Sequence, residues 1–203
     1  TDYKTAGVVD SNEKPGRNVT GVSDLAPVDQ QIQLLMKLVP DTKKVGIVYC
    51  SAEPNSAYQA KLAEAELDKE GIAWAEFTEA DSNEVQSVVT KAVGECDALY
   101  IPTDNTIANN TEIVKNVAVP AGIPVVTGEE GMCSGCGLAT LSISYYDLGV
   151  KAAEMAYEIL TNGADPAQMA IGYVTDGITE KYNADIAEAL DITIPEDMVA
   201  IEN

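Results

Sequence analysis

The sequence contains no histidine among its 203 residues. That removes the commonest general base, the Ser-His-Asp and Cys-His nucleophile systems, and most catalytic zinc sites. Basic side chains are scarce as well, with 12 Lys and Arg against 33 Asp and Glu, for a formal charge of −21. A chain this acidic is a poor partner for nucleic acid or for anionic lipid. The acids are dispersed rather than in blocks, which fits a strongly solvated surface. No apolar run approaches the ~20 residues of a membrane span. P-loop, Rossmann glycine fingerprint, G-x-S-x-G elbow and His-based metal motif are all absent. The chain opens at Thr1 with no signal peptide, a start that looks processed or cut and that leaves the compartment open.

What remains is 46% apolar content, enough for a real core, arranged in a regular beat. Val45–Tyr49 is followed by a helix-like Ser56–Glu70, and Ile72–Phe77 by Ser82–Val93. Leu99–Ile101 is followed by Asn105–Val119, which leads into Ile123–Val126. Short apolar runs alternating with helices of a dozen residues predict βαβ units. Right-handed crossovers then build an open parallel sheet with helices on both faces. The fold class expected is α/β.

Outside that beat the signals are weaker. Gly7–Val9 reads as a short strand and Val19–Val22 as an apolar segment. A helix capped by Ser23 or Asp24 carries Pro27 in its first turn and ends at Pro40. Gly128–Gly137 reads as a glycine-rich loop, Leu138–Ser144 as a strand and Tyr145–Leu160 as a helix. That helix would bury Leu148, Ala152, Met155, Ala156 and Ile159. A strand at Ile171–Val174 and a helix from Thr179 to Leu190 complete the expectation.

The four cysteines are Cys50, Cys96, Cys133 and Cys136. Cys50 ends one parallel strand and Cys96 precedes another, so at ~3.3 Å per residue they fall at opposite sheet ends, too far apart to bridge. Cys133 and Cys136 form a C-x-x-C flanked by glycines. Loop thiols, a local disulfide, a metal site and redox chemistry are all compatible with that spacing.

An open parallel sheet places its ligand site at the carboxyl ends of the strands. The residues there are Cys50–Glu53, Thr78–Glu79, Thr103–Thr106, Thr127–Glu130 and Ser144–Asp147. Asn55-Ser56 and Asn105-Thr106 fall at helix N-termini, where free N–H groups favour a carboxylate or phosphate. Asp104, Glu129, Glu130 and Asp147 can hold a cation or an ammonium group. The two kinds of partner together suit a zwitterion such as an amino acid, with Tyr145 and Tyr146 as aromatic surface. Helix-capping and solvation explain each residue taken singly. It is the clustering that points to a site.

An ordered set of segments then resembles a known family. Lys14–Asp24 is similar to the "KPGGNVTGVSD" segment of ABC-transporter substrate-binding proteins of the tryptophan/tyrosine-binding type. Lys44–Tyr49, Ser51–Ser56, Asp97–Asn105, Pro124–Gly131 and Ser142–Gly149 continue the match in order. The resemblance implies a type I periplasmic-binding-protein fold, two α/β lobes joined by a hinge and closing on a ligand. The expected domains are 1–40 as partial first lobe and hinge, 41–137 as second lobe, 138–170 as return segment to the first lobe, and 171–203 as the C-terminal part of the second.

The same resemblance implies a non-catalytic component of an ABC importer that binds a small amino-acid-like ligand, aromatic by preference, with no cofactor and no metal. Ligand contacts would come from Ser23 and Asp24 in the first lobe and from Glu53, Asn55, Ser56, Asp104, Asn105, Thr106 and Glu129 in the second, with Tyr145 near a crossing. The partners implied are permease subunits, and the location extracytoplasmic, periplasmic or lipid-anchored. The family carries more first lobe ahead of Thr1, so the chain reads as a fragment. Apolar faces at Gly7–Val9, Val19–Val22 and Leu138–Ile143 would then be uncovered and open to self-association. Two other functions share these features: a ligand-sensing domain of a transcription regulator, and an α/β enzyme working through carboxylates such as Glu129 and Asp104.

Overall fold

Apolar runs and helical stretches between residues 44 and 127 alternate in the structure as the periodicity requires. The structure is a computed structural model that describes residues 2–175 and 177–202. In chain order the elements are β1 (Val22–Ser23), α1 (Val28–Leu38), β2 (Lys44–Cys50), α2 (Pro54–Glu70), β3 (Ala73–Glu79), α3 (Val85–Glu95), β4 (Ala98–Ile101), α4 (Asn105–Ala108) and α5 (Thr111–Ala118). There follow β5 (Val125–Thr127), α6 (Glu130–Cys136), β6 (Ala139–Ser142), α7 (Tyr145–Asn162), β7 (Gly172–Tyr173), β8 (Thr179–Tyr182), α8 (Ala184–Ala189) and β9 (Val199–Ala200).

The elements divide between two compact units, residues 1–26 with 143–178 and residues 27–142 with 179–203. These boundaries differ from those expected at 40, 137 and 170. The first 40 residues do not stay together, because α1 buries Ile32, Leu34 and Leu35 in the larger unit. Likewise β6 is a strand of the larger unit, while Ile171–Val174 belongs to the smaller.

In the larger unit, the described residues form a sheet of seven strands in the order β3-β2-β4-β5-β6-β8-β9. From β3 to β6 every pairing is parallel, and β8 then runs antiparallel to β6. The sheet is therefore mixed rather than purely parallel. Residues 179–182, expected to open a helix, are instead this strand, and the helix is confined to α8. Leu138–Ile143 is not an open edge either, since β8 covers β6 and Leu138, Ala139 and Leu141 are buried. On one sheet face α3, α4, α5 and α6 pack Val89, Ile107, Val114 and Met132 onto Phe77, Leu99 and Val125. On the other, α1 and α2 cover the sheet.

Three helical expectations change. Asn109 and Asn110 break residues 105–119 into α4 and α5; the Asn109 and Asn110 side chains donate back to the Asn105 and Thr106 carbonyls and so end the first turn. Residues 130–136, read as a glycine-rich loop, form α6, with Glu129 as its cap. Finally, α1 starts after Pro27 with no side-chain cap, rather than at Ser23 or Asp24.

The smaller unit holds the parallel pair β1–β7 and α7, with Ala26, Ile143 and Leu148 as its buried apolar cluster. Gly7–Val9 forms turns instead of a strand. Its loops are tied by Thr20 Oγ1 donating to the Met169 carbonyl (2.7 Å) and by Ile171 N donating to the Asn12 carbonyl (2.7 Å). Leu148 is the buried residue of α7; Met155 and Ile159 are half-buried, and Ala152 and Ala156 are exposed. A two-residue strand pair is too narrow to cover an 18-residue helix, so β1 and β7 cover only part of the inward stripe expected of α7.

Candidate functional site

Parallel pairing puts the carboxyl ends of β2, β3, β4 and β5 on one edge of the larger unit, and the connections that leave those ends form a rim. Glu53, just before α2, reaches across to α4. Its Oε2 accepts from Asn105 N (3.0 Å) and Asn105 Nδ2 (2.8 Å), and its Oε1 accepts from Thr106 N (2.8 Å) and Thr106 Oγ1 (2.9 Å). Burial alone would raise this carboxyl, but the hydrogen bonds from Asn105 and Thr106 outweigh it and hold it below the usual range. The α4 N-terminus, expected to be free for a ligand anion, is thus already filled by an internal one.

Asp104 is the cap of α4, its Oδ1 accepting from Ile107 N (2.9 Å) and its Oδ2 from Cys50 N (2.8 Å). It is 1% exposed, so it positions the rim from below and offers a ligand no surface. Burial raises its pKa, against the two backbone donors. Asn55 and Ser56 open α2 and donate to the Thr103 carbonyl, at 3.1 Å each. That fastens the β2 and β4 connections together. Glu129 accepts from Gly131 N and Met132 N as the cap of α6. The preceding Gly128 lies so close to the β4 connection that an added Cβ would overlap Thr103 N and come within 2.8 Å of the Pro102 carbonyl carbon.

The structure therefore brings Glu53, Asn55, Ser56, Asp104, Asn105 and Thr106 into one hydrogen-bonded cluster, with Glu129 on the neighbouring connection. A cleft of about 380 Å³ lies beside it, lined by Cys50, Glu53, Ala80, Thr106 and Asn109 among others. Ser23, Asp24 and Tyr145 belong to the smaller unit. Ser23 is buried there. Asp24 and Tyr145 line a separate cleft of about 680 Å³ together with Tyr3, Val22 and Leu148. Two buried residues beneath the rim stand outside the expected ligand set: Glu79, which the strand-end reading named without a role, and Gln31, which it did not name. Glu79 carried one available signal, an acid at an inward-facing position of a strand; Gln31 carried none, being a single amide on an amphipathic helix.

All four cysteines are free and buried. Cys133 and Cys136 lie on α6 in the core, where burial pushes both thiols up and away from the reactive thiolate. Among the described residues no group of three or more His, Cys, Asp or Glu side chains is placed to hold a metal ion.

An α/β lobe that gathers hydroxyl, amide and carboxylate groups at the carboxyl edge of its parallel strands has its candidate ligand site where open α/β folds place one. Residues 1–202 match the family "ABC transporter substrate binding protein", and the chain belongs to that family. It is 40% identical over 160 residues to a tyrosine-binding protein of Clostridioides difficile, a match covering 79% of this chain and 46% of that protein. The chain thus spans about half the length of this curated relative.

Among solved structures, it is similar to the ABC domain of a Streptococcus pneumoniae protein in complex with L-Trp. That match has 35% identity and a TM-score of 0.91, and covers 99% of this chain and 71% of that one. A ligand-free, open structure of a Clostridium difficile substrate-binding protein with adhesive properties matches at 36% identity and a TM-score of 0.79, over 100% of this chain and 68% of that one.

Proposed function

We propose that the chain acts in solute capture for an ABC importer, binding an amino acid with an aromatic side chain and passing it to a membrane permease without chemical change. The observation that carries this reading is similarity along nearly the whole chain to a protein complexed with L-Trp. The 40% identity to a tyrosine-binding protein supports the same ligand class. The proposed ligand residues on the larger unit are Asn55, Asn105, Thr106 and Glu129, with Glu53 holding the head of α4 and the buried Ser56 and Asp104 as positioning residues beneath them. Asp24 and Tyr145 are the candidates on the smaller unit, where Ser23 is buried.

Action outside the cytoplasm, with or without a lipid anchor, belongs to the same proposal, as do permease subunits as partners. No helix among the described residues is long and apolar enough to cross a membrane. Exposed apolar side chains of the smaller unit, Tyr157 and Leu160 among them, suit self-association, which light scattering during size-exclusion chromatography would read as a dimer mass. A monomer mass would remove that part.

The carboxylate-enzyme alternative calls for an acid of raised pKa in the cleft. The rim acids that meet the pKa condition are Glu79 and Asp104, and both are buried, which leaves neither with a surface to offer a substrate. Isothermal titration of the full-length gene product against the twenty amino acids tests the proposal. Heat with Trp, Tyr or Phe is the expected result, with weaker binding by residues 1–203 alone. Silence with all twenty in the full-length protein refutes it.

A further inference from the structure

Glu79 is the last residue of β3 and is paired in register with Cys50 at the end of β2. Strand alternation puts its side chain on the face of Phe77, the face that α3 covers, so it enters the protein rather than leaving it. It is 0% exposed, and neither carboxylate oxygen has a hydrogen-bond partner. The donors at this corner are spent elsewhere. Ser51 gives both its N–H (2.9 Å) and its hydroxyl (3.1 Å) to the Glu79 backbone carbonyl. Cys50 N and Ile107 N go to Asp104, and Ala80 N goes to Glu84 (2.9 Å). The charged groups that face Glu79 are Asp104 from the β4–α4 connection, Glu53 from the β2–α2 connection and Glu84 at the start of α3, and all three are acids.

An ionised carboxylate in that place would sit out of bulk solvent with no counter-charge among the groups that face it and only its own backbone N–H to favour the charge, whereas a protonated carboxyl costs no more than a buried polar group. We propose that Glu79 is a neutral acid in the native protein and that its proton makes the rim responsive to pH. Losing the proton sets Glu79 against Asp104 and Glu53. Asp104 bridges the end of β2 to α4, and Glu53 grips Asn105 and Thr106 at the head of α4, so their displacement loosens the residues proposed to meet the ligand. Burial first, and then the charge of Asp104, push the Glu79 carboxyl up to about 7 from its ordinary 4.5. The native chain therefore keeps a proton that the unfolded chain gives up near pH 4.5. The stability this group contributes is fully present below that value and is lost as pH rises through about 7. Ligand affinity at the rim falls over the same upper range.

The affinity half of the proposal rests on the function proposed above, and the stability half does not. The test compares the full chain with Glu79→Gln at pH 5, 6 and 8 by thermal unfolding and by titration with L-Trp and L-Tyr. The native midpoint should fall between pH 5 and 8 relative to the variant, and native affinity should be about tenfold weaker at pH 8 than at pH 6 while the variant's is level. Parallel pH curves for the two proteins overturn the neutral-acid assignment. A pH-sensitive midpoint with pH-independent affinity overturns the coupling to the rim. If neither amino acid gives heat at any pH, the ligand reading fails and the midpoints still decide the protonation of Glu79. Infrared spectroscopy of the native protein decides it without a variant: the carbonyl band of a protonated carboxyl must persist at pH 6 and vanish above pH 8.

Discussion

Gln31 offers the sharpest perturbation of the rim's support. Its side chain is fully buried on α1 and makes three hydrogen bonds: Nε2 donates to the Gly128 carbonyl (3.1 Å) and the Leu141 carbonyl (3.0 Å), and Oε1 accepts from the Tyr100 hydroxyl (2.7 Å). β5 and β6 pair through Val126↔Ala139 and Thr127↔Thr140. Gly128 and Leu141 each lie one residue past that register, so a side-chain amide supplies what the ladder no longer can. Gln31→Leu strands two carbonyls and a phenol in a dry interior. An orphaned buried polar group costs about 1–3 kcal/mol, and partial relaxation brings the expected total to roughly 3–5 kcal/mol. Tyr100→Phe leaves Oε1 alone without its partner and should cost about 1–2 kcal/mol. In the double variant the phenol is gone, so the two costs should fall short of additivity by roughly 1 kcal/mol. Urea unfolding followed by fluorescence measures this cleanly, because the chain's single tryptophan, Trp74, lies on β3 of the larger unit. A Gln31→Leu cost below about 1 kcal/mol, or an additive cycle, would refute the reasoning.

Two further outcomes follow from the same geometry. The four cysteines are free and buried, so a thiol reagent should label native protein no faster than it unfolds; fast modification of two thiols at neutral pH would put Cys133 and Cys136 at the surface. Glu53→Ala removes the clamp on α4 and should cost about 1–2 kcal/mol at pH 7. Because the folded carboxyl is held below 4.5, the contribution is present above that value and lost as pH falls through the folded pKa, so native and variant urea midpoints should converge in acid; a constant gap would show that charge is not what holds α4.

Although β3, the edge strand, is partly exposed and carries polar residues among its apolar ones, the sequence made the βα beat from β2 to β5 legible because β2, β4 and β5 are buried on both faces and read as apolar runs. β8 was illegible for the opposite reason. Thr179–Tyr182 is half-buried and polar, and its conformation is decided by β6 beside it rather than by its own pattern. The same holds for α6, whose glycines argue for a loop until Glu129 closes its first turn and Met132, Cys133 and Cys136 find the core. For α7 the amphipathic stripe is genuine, and the covering layer is what the expectation supplied wrongly. At the rim, sequence order located the cluster through the strand-end rule, but it could not tell which groups point outward. Asp104 and Asn105 are adjacent in sequence, yet Asp104 is buried while Asn105 stays exposed at the head of α4.

Lone-pair counting separates the acids that sequence reading had treated as equivalent. A carboxylate has about four acceptor sites. Glu53 meets four donors from Asn105 and Thr106, so it has none left for an ammonium group, and its work is to fix the head of α4. Asp104 has spare acceptor capacity but is sealed beneath the rim. Glu129 receives one donor on each oxygen, from Gly131 and Met132, and is half-buried rather than enclosed. Within the proposed function, the ammonium of an amino acid therefore finds its acceptor on the β5 connection at Glu129. Of the neutral polar groups at the rim, those of Asn55, Asn105 and Thr106 reach its surface, while Ser56 is buried beneath them.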